Sequence, residues 1–286
     1  MTDTPDPRVT AARGDIAAEN LRGRVTAARF VEGETRVVMD AQAPLRLEPS
    51  SGAPLATEAL MGERVTIYDT NDEGWCWGQL ESDGYVGWLP AGALAPPGPQ
   101  PTHKVCALRT FVFPGPSIKL TPVAAPPFGA VVTIAQMGPP FAVTAAGGFI
   151  PIPHVVALAE RLADFVAVAE RFVGTPYLWG GKTNFGIDCS GLVQVALSAC
   201  GIRCPRDSDM QERAVGEIVA GGDVSSLRRG DLVFWKGHVA IARNAAEIIH
   251  ANAFHMSVAS EPISDAIVRI RAQGSDITAI KRVSPQ

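Results

Sequence analysis

The 286-residue chain lacks long hydrophobic runs and is poor in cysteine. No stretch approaches the roughly 18 apolar residues that suggest a membrane-spanning helix. The N-terminal residues MTDTPDPRVTAARGD lack the basic stretch and apolar core of a secretory leader. The five cysteines are an odd number, which argues against a disulfide framework and favours a reducing compartment. We therefore expect a cytoplasmic protein without a membrane partner.

The chain also lacks a basic excess. It has 25 Lys and Arg against 29 Asp and Glu, a formal net charge of −4. A nucleic-acid-binding protein usually carries a basic stripe, so no nucleic-acid partner is expected. Hydrophobic residues make up 47% and charged residues 19%, as in a folded globular protein. The length favours two or three domains.

Proline marks the first domain boundary, because residues 96–101 read PPGPQP. Before it, ERVTIYD, WCWGQL and GYVGWLP predict a small antiparallel barrel over residues 31–97. After it, KVCALRTFVF, AVVTIAQM and GGFIPIP predict a second barrel over residues 101–155. The barrels end alike, in GYVGWLPAGAL and GGFIPIPHVV, which indicates a weak internal repeat. Residues 1–30 include DIAAENLRGRV, which has helical character, and are expected to pack on the domains.

From residue 158 onward the apolar period lengthens from two to about 3.6, which indicates helix, and the order of two helices followed by strands predicts an α+β domain over residues 158–286. The spacing of apolar residues predicts a helix that runs from Leu158 to Phe172. A second apolar run, SGLVQVALSACG, follows Asp188, a suitable N-cap residue. DLVFWKGHVAIA and EIIHA then predict strands.

Cys189 occupies the first turn of that second predicted helix. Unpaired N–H groups and the helix dipole favour an anion there, so the position suits a reactive thiolate. The small residues Ser190 and Gly191 leave room for a substrate backbone, and the backbone N–H of Cys189 could face an oxyanion. A buried structural cysteine is equally compatible with this local pattern.

His238 and His250 flank a predicted hairpin turn. If the loop has five residues, Ile241 pairs with Glu247 and the two histidines lie directly opposite each other. One imidazole could then orient the other, as a base for a cysteine nucleophile requires. A register slip of one residue would instead place them on opposite faces, as two unrelated histidines.

Other chemical residues give weaker signals. Cys200 and Cys204 have a spacing typical of metal ligands, but no second pair accompanies them, so a half-buried pair of thiols is favoured over a zinc site. Trp75, Trp77 and Trp88 are better explained as barrel core than as a ligand platform.

Four stretches, GTPYLWGG, FGIDCSGLV, RRGDLVFWKGHVAI and IIHANAF, resemble the motifs of NlpC/p60 cysteine peptidases in order and spacing. The resemblance covers residues 158–286 and implies a papain-like catalytic domain, with a nucleophile helix packed on an antiparallel sheet. It implies Cys189 as nucleophile, His238 as general base and His250 as third catalytic residue. It also places Tyr177 close to the nucleophile, where its phenol would help to bind the oxyanion.

The stretches LRLEPSSGAP, EGWCWGQL and DGYVGWLP resemble the first of two bacterial SH3-like domains that precede the catalytic domain in γ-D-glutamyl-L-diamino acid endopeptidases. That subgroup implies a murein peptide substrate, L-Ala-γ-D-Glu-diamino acid, with a free N-terminal amine. Asp207 and Tyr85 match the positions that capture the ammonium group, and Trp179 matches a pocket wall. A further acidic residue is expected from the first barrel, with Glu48 and Glu58 as candidates.

The resemblance therefore predicts hydrolysis of released wall peptides, in recycling inside the cell, by a chain that we expect to be monomeric. Two alternatives stay open at this point. The chain could be a non-catalytic wall-binding or adaptor protein, or an acyltransferase that uses the same scaffold and the same thioester chemistry.

Overall fold

The computed structural model describes residues 5–219 and 224–283. The chain divides into two compact units, Met1–Glu160 and Arg161–Gln286, and each is described here by itself. Within the described residues, every helix is too short or too polar to cross a membrane.

Unit 1 begins with a three-stranded sheet where a helix was predicted. Within DIAAENLRGRV, only Glu19–Leu21 is helical, as a single 3-10 turn. Ile16 and Ala18 pack with Trp77 and Val86 in one apolar cluster. This packing outweighs the helix propensity of the alanines. The segment packs on the first barrel, and its strands are β1 (Ala12–Arg13), β2 (Ile16–Ala18) and β3 (Arg29–Val31).

The first barrel is a seven-stranded sheet in the order β10-β4-β7-β8-β9-β5-β6. The predicted strands ERVTIYD, WCWGQL and GYVGWLP correspond to β7, β8 and β9. Trp77 is buried, whereas Trp75 and Trp88 are half-buried. The strands are β4 (Glu34–Val38), β5 (Gln42–Arg46), β6 (Leu55–Leu60), β7 (Arg64–Thr70), β8 (Trp75–Leu80), β9 (Val86–Pro90) and β10 (Leu94–Ala95).

The rest of unit 1 forms two three-stranded sheets, β12-β11-β16 and β13-β14-β15. The strand predicted over KVCALRTFVF is largely absent, because after β11 the segment makes only isolated bridges, such as Arg109 with Pro127. The facing segment is rich in proline, which cannot donate to a ladder. The strands are β11 (His103–Val105), β12 (Val131–Val132), β13 (Ile134–Gly138), β14 (Phe141–Thr144), β15 (Phe149–Pro151) and β16 (Val155–Ala157).

The internal repeat that the sequence indicates is present in the backbone. Both β9 and β15 end at a proline, Pro90 and Pro151, with φ of −62° and −56°. A single 3-10 turn follows each proline, Ala91–Ala93 in one case and Ile152–His154 in the other, and a short strand comes next. Since proline fixes φ near these values, the backbone turns in the same way at both positions.

Unit 2 has the predicted α+β organisation. Its six-stranded antiparallel sheet has the order β19-β24-β20-β21-β22-β23. Helix α2 is buried along almost its whole length and packs against β21 and β22. The helices are α1 (Phe165–Glu170), α2 (Cys189–Ala199), α3 (Ser208–Ala214) and α4 (Ile263–Ala272). The strands are β17 (Lys182–Thr183), β18 (Gly186–Ile187), β19 (Glu217–Ile218), β20 (Asp231–Trp235), β21 (His238–Ala242), β22 (Glu247–Asn252), β23 (Ser257–Pro262) and β24 (Ile277–Arg282).

Helix α1 is shorter than predicted, since it begins at Phe165 rather than Leu158. The side chain of Asp164 accepts hydrogen bonds from the backbone N–H groups of Val166 and Ala167, at 2.9 and 3.2 Å. This cap fixes the helix start, and Leu158 lies exposed before it.

Candidate active site

Cys189 is the first residue of α2, as predicted from its neighbour Asp188. The Asp188 side chain caps the helix, because its Oδ1 accepts the N–H of Gly191 at 2.7 Å. Its Oδ2 accepts the N–H of Gly180 at 2.8 Å. These bonds hold the start of α2 against the preceding loop and so fix the place of the thiol.

Arg206 holds the other side of the capping carboxylate. Its guanidinium is 1% exposed and donates to both oxygens of Asp188, at 2.9 and 2.7 Å. A buried charge is tolerated when it is paired and hydrogen-bonded in this way. Sequence reasoning missed Arg206, because an arginine 18 positions after the aspartate gives no local signal of contact.

Ser190 and Gly191 do not leave the room for substrate that was expected. The Ser190 hydroxyl lies within hydrogen-bonding distance of Asp188 and of Arg206, at 3.2 and 3.0 Å, inside the buried network. A Cβ built at Gly191 would collide with the carbonyl oxygen of Gly181. Glycine is required there by the chain's own backbone, and the space beside it is already filled.

The thiol of Cys189 is 6% exposed, and its resting state is protonated. Burial, and then the negative charge of Asp188, raise the pKa of Cys189 to about 12. The backbone N–H groups of Val239 and Ser190 hydrogen-bond the sulfur and act in the opposite direction. Burial and the capping carboxylate therefore favour the neutral thiol at rest, against the thiolate expected at a helix start.

His238 and His250 share a face of the sheet, but they are not directly opposite as predicted. Ile241 pairs with Ile249, so the register is two positions away from the pairing of Ile241 with Glu247. A shift of two residues keeps side chains on the same face. The rings meet diagonally, with His238 Nε2 and His250 Nδ1 2.8 Å apart.

The hydrogen-bonded chain continues beyond the two histidines. His250 is fully buried, and its Nε2 lies 2.7 Å from Glu261 Oε1 on β23. Arg269 on α4 donates to the other carboxylate oxygen, also at 2.7 Å. Sequence reasoning missed Glu261 and Arg269, because only the register between β22 and β23 shows that Glu261 faces His250.

Both imidazoles are neutral in this environment, while the carboxylate is charged. Burial, assisted by the nearby His250 and Arg269, lowers the pKa of His238 to about 3. Burial also lowers the pKa of His250, although its bond to Glu261 acts against this. Burial alone would raise the pKa of Glu261, but hydrogen bonds from His250 and Arg269 bring it down to about 2.

Comparison with known proteins then gives the family. Residues 174–272 match the model described as NlpC/P60 family, and residues 45–94 match the bacterial dipeptidyl-peptidase Sh3 domain. A protein named "Probable endopeptidase NlpC" from Escherichia coli (strain K12) is 34% identical over 107 residues, covering 32% of this chain and 67% of that protein. The chain belongs to the NlpC/P60 family.

Two further relatives agree with this family. A "Gamma-D-glutamyl-L-lysine dipeptidyl-peptidase" from Bacillus cereus is 36% identical over 109 residues, covering 35% of this chain and 32% of that protein. The match thus spans about a third of that curated relative. The crystal structure of an NlpC/P60 family protein from Bacillus cereus has the same fold, with a TM-score of 0.75 and 21% identity. It covers 88% of this chain and 100% of that one.

Within the NlpC/P60 unit, the other predicted site residues lie in different environments. Tyr177 is half-buried, and burial, with the nearby Cys189 and Asp188, raises its pKa to about 12, so its phenol remains a donor. Trp179 is 68% exposed. Asp207 directly precedes α3, is half-buried, and does not cap the helix with its side chain.

The predicted substrate-binding residues of the SH3-like barrel also differ from one another in burial. Tyr85 is 4% exposed and packs within the apolar core of that barrel. Glu58 is buried and accepts a hydrogen bond from Gln42 at 3.1 Å, whereas Glu48 is exposed. The role of these residues in substrate capture stays a prediction.

One group of side chains could offer metal ligands. His250, His255 and Glu261 place ligand atoms within 4.8 Å of one another. Glu261 is already engaged by His250 and by the Arg269 cation, so a metal would have to break the hydrogen bond between Glu261 and His250 and displace Arg269. The donor set therefore serves the NlpC/P60 histidine chain better than it would serve a metal.

Proposed function

We propose that this protein is a cysteine peptidase that hydrolyses cell-wall peptides, with Cys189 as nucleophile and His238 as base. One observation carries the proposal. The sulfur of Cys189 accepts a hydrogen bond from the N–H of Val239, the residue next to His238, and the His238 ring is hydrogen-bonded to His250. A buried thiol whose sulfur contacts the strand that carries His238, and a second histidine hydrogen-bonded to the His238 ring, fit the nucleophile, base and orienting group that nucleophilic acyl transfer requires.

The proposed reaction has two halves. As the Cys189 sulfur attacks the scissile carbonyl carbon, its proton passes to His238, which then protonates the departing amine. The resulting thioester is hydrolysed by a water molecule that gives a proton to His238, and His238 returns this proton to the departing Cys189 sulfur. The Tyr177 phenol and the Cys189 backbone N–H donate to the oxyanion in both halves.

We propose the γ-D-glutamyl–diamino acid bond as the bond that is cut. Two observations support it: the relative named "Gamma-D-glutamyl-L-lysine dipeptidyl-peptidase" and the dipeptidyl-peptidase Sh3 domain model that matches residues 45–94. The substrate then begins with a free L-Ala amine, which Asp207 binds. A carboxylate committed to an ammonium group loses its partner when that amine is blocked, so blocked peptides bind poorly.

The remaining parts of the proposal rest on the resemblance and on the sequence. In this proposal Trp179 forms a pocket wall. The protein acts as a monomer in the cytoplasm, where it degrades murein peptides released from the wall, without a metal or an organic cofactor.

The test is incubation of the purified protein with L-Ala-γ-D-Glu-meso-diaminopimelate, free and N-acetylated, followed by mass spectrometry. We expect release of diaminopimelate from the free peptide and little release from the acetylated one. Cys189→Ala is the control and should release none. Equal cleavage of both peptides would contradict amine recognition, and cleavage by Cys189→Ala would contradict the nucleophile.

A further inference from the structure

We infer that Glu261 is a positioning residue that sets the proton positions on both active-site histidines and thereby makes His238 able to act as a base. The inference deepens the proposed function and rests on it for its catalytic meaning. It concerns a buried residue that lies on a different strand from either histidine.

The first step concerns the bond between Glu261 and His250. An ionised carboxylate can only accept hydrogen bonds. Glu261 is ionised at neutral pH, and its Oε1 lies 2.7 Å from Nε2 of His250. The proton in this contact must therefore reside on Nε2 of His250.

The second step concerns the hydrogen bond between His250 and His238. A neutral imidazole carries one N–H, so His250, with its proton on Nε2, has an unprotonated Nδ1. That Nδ1 lies 2.8 Å from Nε2 of His238 and can only accept. His238 must then donate from Nε2, which leaves its own Nδ1 without a proton.

The third step links that bare nitrogen to the thiol. With Nε2 turned to His250, Nδ1 is the nitrogen of His238 that remains to exchange a proton with Cys189. The opposite arrangement would place a proton on Nδ1, and such a ring could not accept the thiol proton. A single carboxylate, two rings away from the sulfur, thus determines whether the base is competent.

Arg269 keeps the carboxylate in its role. Its guanidinium contacts both oxygens of Glu261 and lies over the Phe254 ring, 4.4 Å from the ring centroid. Because a guanidinium has no acceptor, it cannot compete for the His250 proton. Together with the hydrogen bond from His250, it favours the ionised form of Glu261, and it does not alter the direction of the hydrogen-bonded chain.

The test compares Glu261→Gln with Asp231→Asn. Asp231 is a matched control, since it is a buried carboxylate on the same sheet, paired with Arg282 at 2.8 and 2.7 Å and remote from the histidine chain. The tautomers of His238 and His250 are read from imidazole ¹⁵N chemical shifts in histidine-labelled protein. Signals are assigned with single His→Gln variants, and kcat and KM are measured on L-Ala-γ-D-Glu-meso-diaminopimelate.

In the unchanged protein we expect both histidines to carry their proton on Nε2. An amide can donate as well as accept, so in Glu261→Gln the form with a proton on Nδ1 of His238 becomes populated. We expect kcat to fall roughly 10²–10⁴-fold, the usual contribution of general-base catalysis, with little change in KM. Asp231→Asn should leave the tautomers and kcat unchanged, and Glu261→Asp should restore the Nε2–H form in part.

Retention of the Nε2–H form on both rings in Glu261→Gln would overturn the inference, as would a changed tautomer with normal kcat. If Glu261→Gln fails to fold, Arg269→Gln serves instead. This variant retains the Glu261 carboxylate, so the tautomers of His238 and His250 should be unchanged. A proton on Nδ1 of either ring in this variant would overturn the inference. If the tautomers are those predicted but the protein cleaves no wall peptide, the positioning role of Glu261 is supported and the proposed function is contradicted.

Discussion

At the scale of single residues, the thiol and the imidazole of the site rest as neutral partners, not as an ion pair. Burial raises the pKa of Cys189 and lowers that of His238, so both shifts favour the uncharged forms. In the proposed reaction, proton transfer then accompanies attack on the substrate instead of preceding it. We therefore expect the buried thiol to be unreactive until a substrate carbonyl is in place.

Alkylation of Cys189 tests this resting state. Because only the thiolate reacts, the rate with iodoacetamide should be low at pH 7 and should still be rising above pH 9. Mass spectrometry of the modified peptide, with Cys189→Ala as reference, gives the rate at each pH. A rate that levels off below pH 7 would show that a thiolate already exists in the resting protein.

Burial and the nearby His250 lower the pKa of His238, the positive charge of Arg269 lowers it further, and Glu261 raises it. Removal of the Arg269 charge should therefore change the pH dependence of catalysis. In the unchanged protein, the acid limb of kcat/KM should lie below pH 6.5, the value of a free imidazole. Arg269→Gln should shift the midpoint of this acid limb to higher pH. Arg271→Gln is a matched control on the same helix, since Arg271 is paired with the exposed Asp276, and it should leave the limb in place. An unchanged limb in Arg269→Gln would contradict this electrostatic account.

At the scale of elements, the start of α2 depends on the ion pair between Asp188 and Arg206. Arg206→Met leaves the capping carboxylate buried without its cation, so we expect a loss of about 3–5 kcal/mol in the free energy of unfolding. Arg213→Met removes an exposed pair with Asp209 and should cost about 0–1 kcal/mol. Urea denaturation of both variants gives the comparison. Equal losses would show that the buried pair does not anchor the helix.

The elements also show how far sequence patterns reach. Asp188 and the strands of the first barrel were predictable, because a cap and strict alternation are local signals. The start of α1 differs from the prediction. The helical spacing of apolar residues extends upstream of Asp164, whereas the helix begins only after Asp164, whose side chain caps it. The histidine pair was assigned to the right face but the wrong register, because loop geometry fixes register and the apolar pattern fixes only the face. Arg206, Glu261 and Arg269 could not be found, as their contacts join distant segments.

At the scale of the whole molecule, the buried histidines make stability depend on pH. His238 and His250 have lowered pKa values in the folded state, so below pH 6.5 the unfolded chain binds protons that the folded chain does not. Stability should fall as the pH drops from about 6.5 towards 3. The melting temperature measured across this range should decline less steeply in His238→Gln. Parallel declines in both proteins would contradict the assignment.

The family and the fold class were also accessible from sequence, because four motifs in order identify one unit and repeated proline corners mark the other. The γ-D-glutamyl–diamino acid bond that we propose as the cleavage site rests on resemblance, since no local pattern in the sequence encodes a γ-linked substrate.

The most direct test of the central claim is intact-mass measurement during turnover of L-Ala-γ-D-Glu-meso-diaminopimelate, quenched in acid. The account predicts a transient adduct with the mass of the L-Ala-γ-D-Glu acyl group, mapped to the peptide that contains Cys189 and missing from Cys189→Ala. Hydrolysis that proceeds without an adduct on that peptide, and at the same rate in Cys189→Ala, would contradict it.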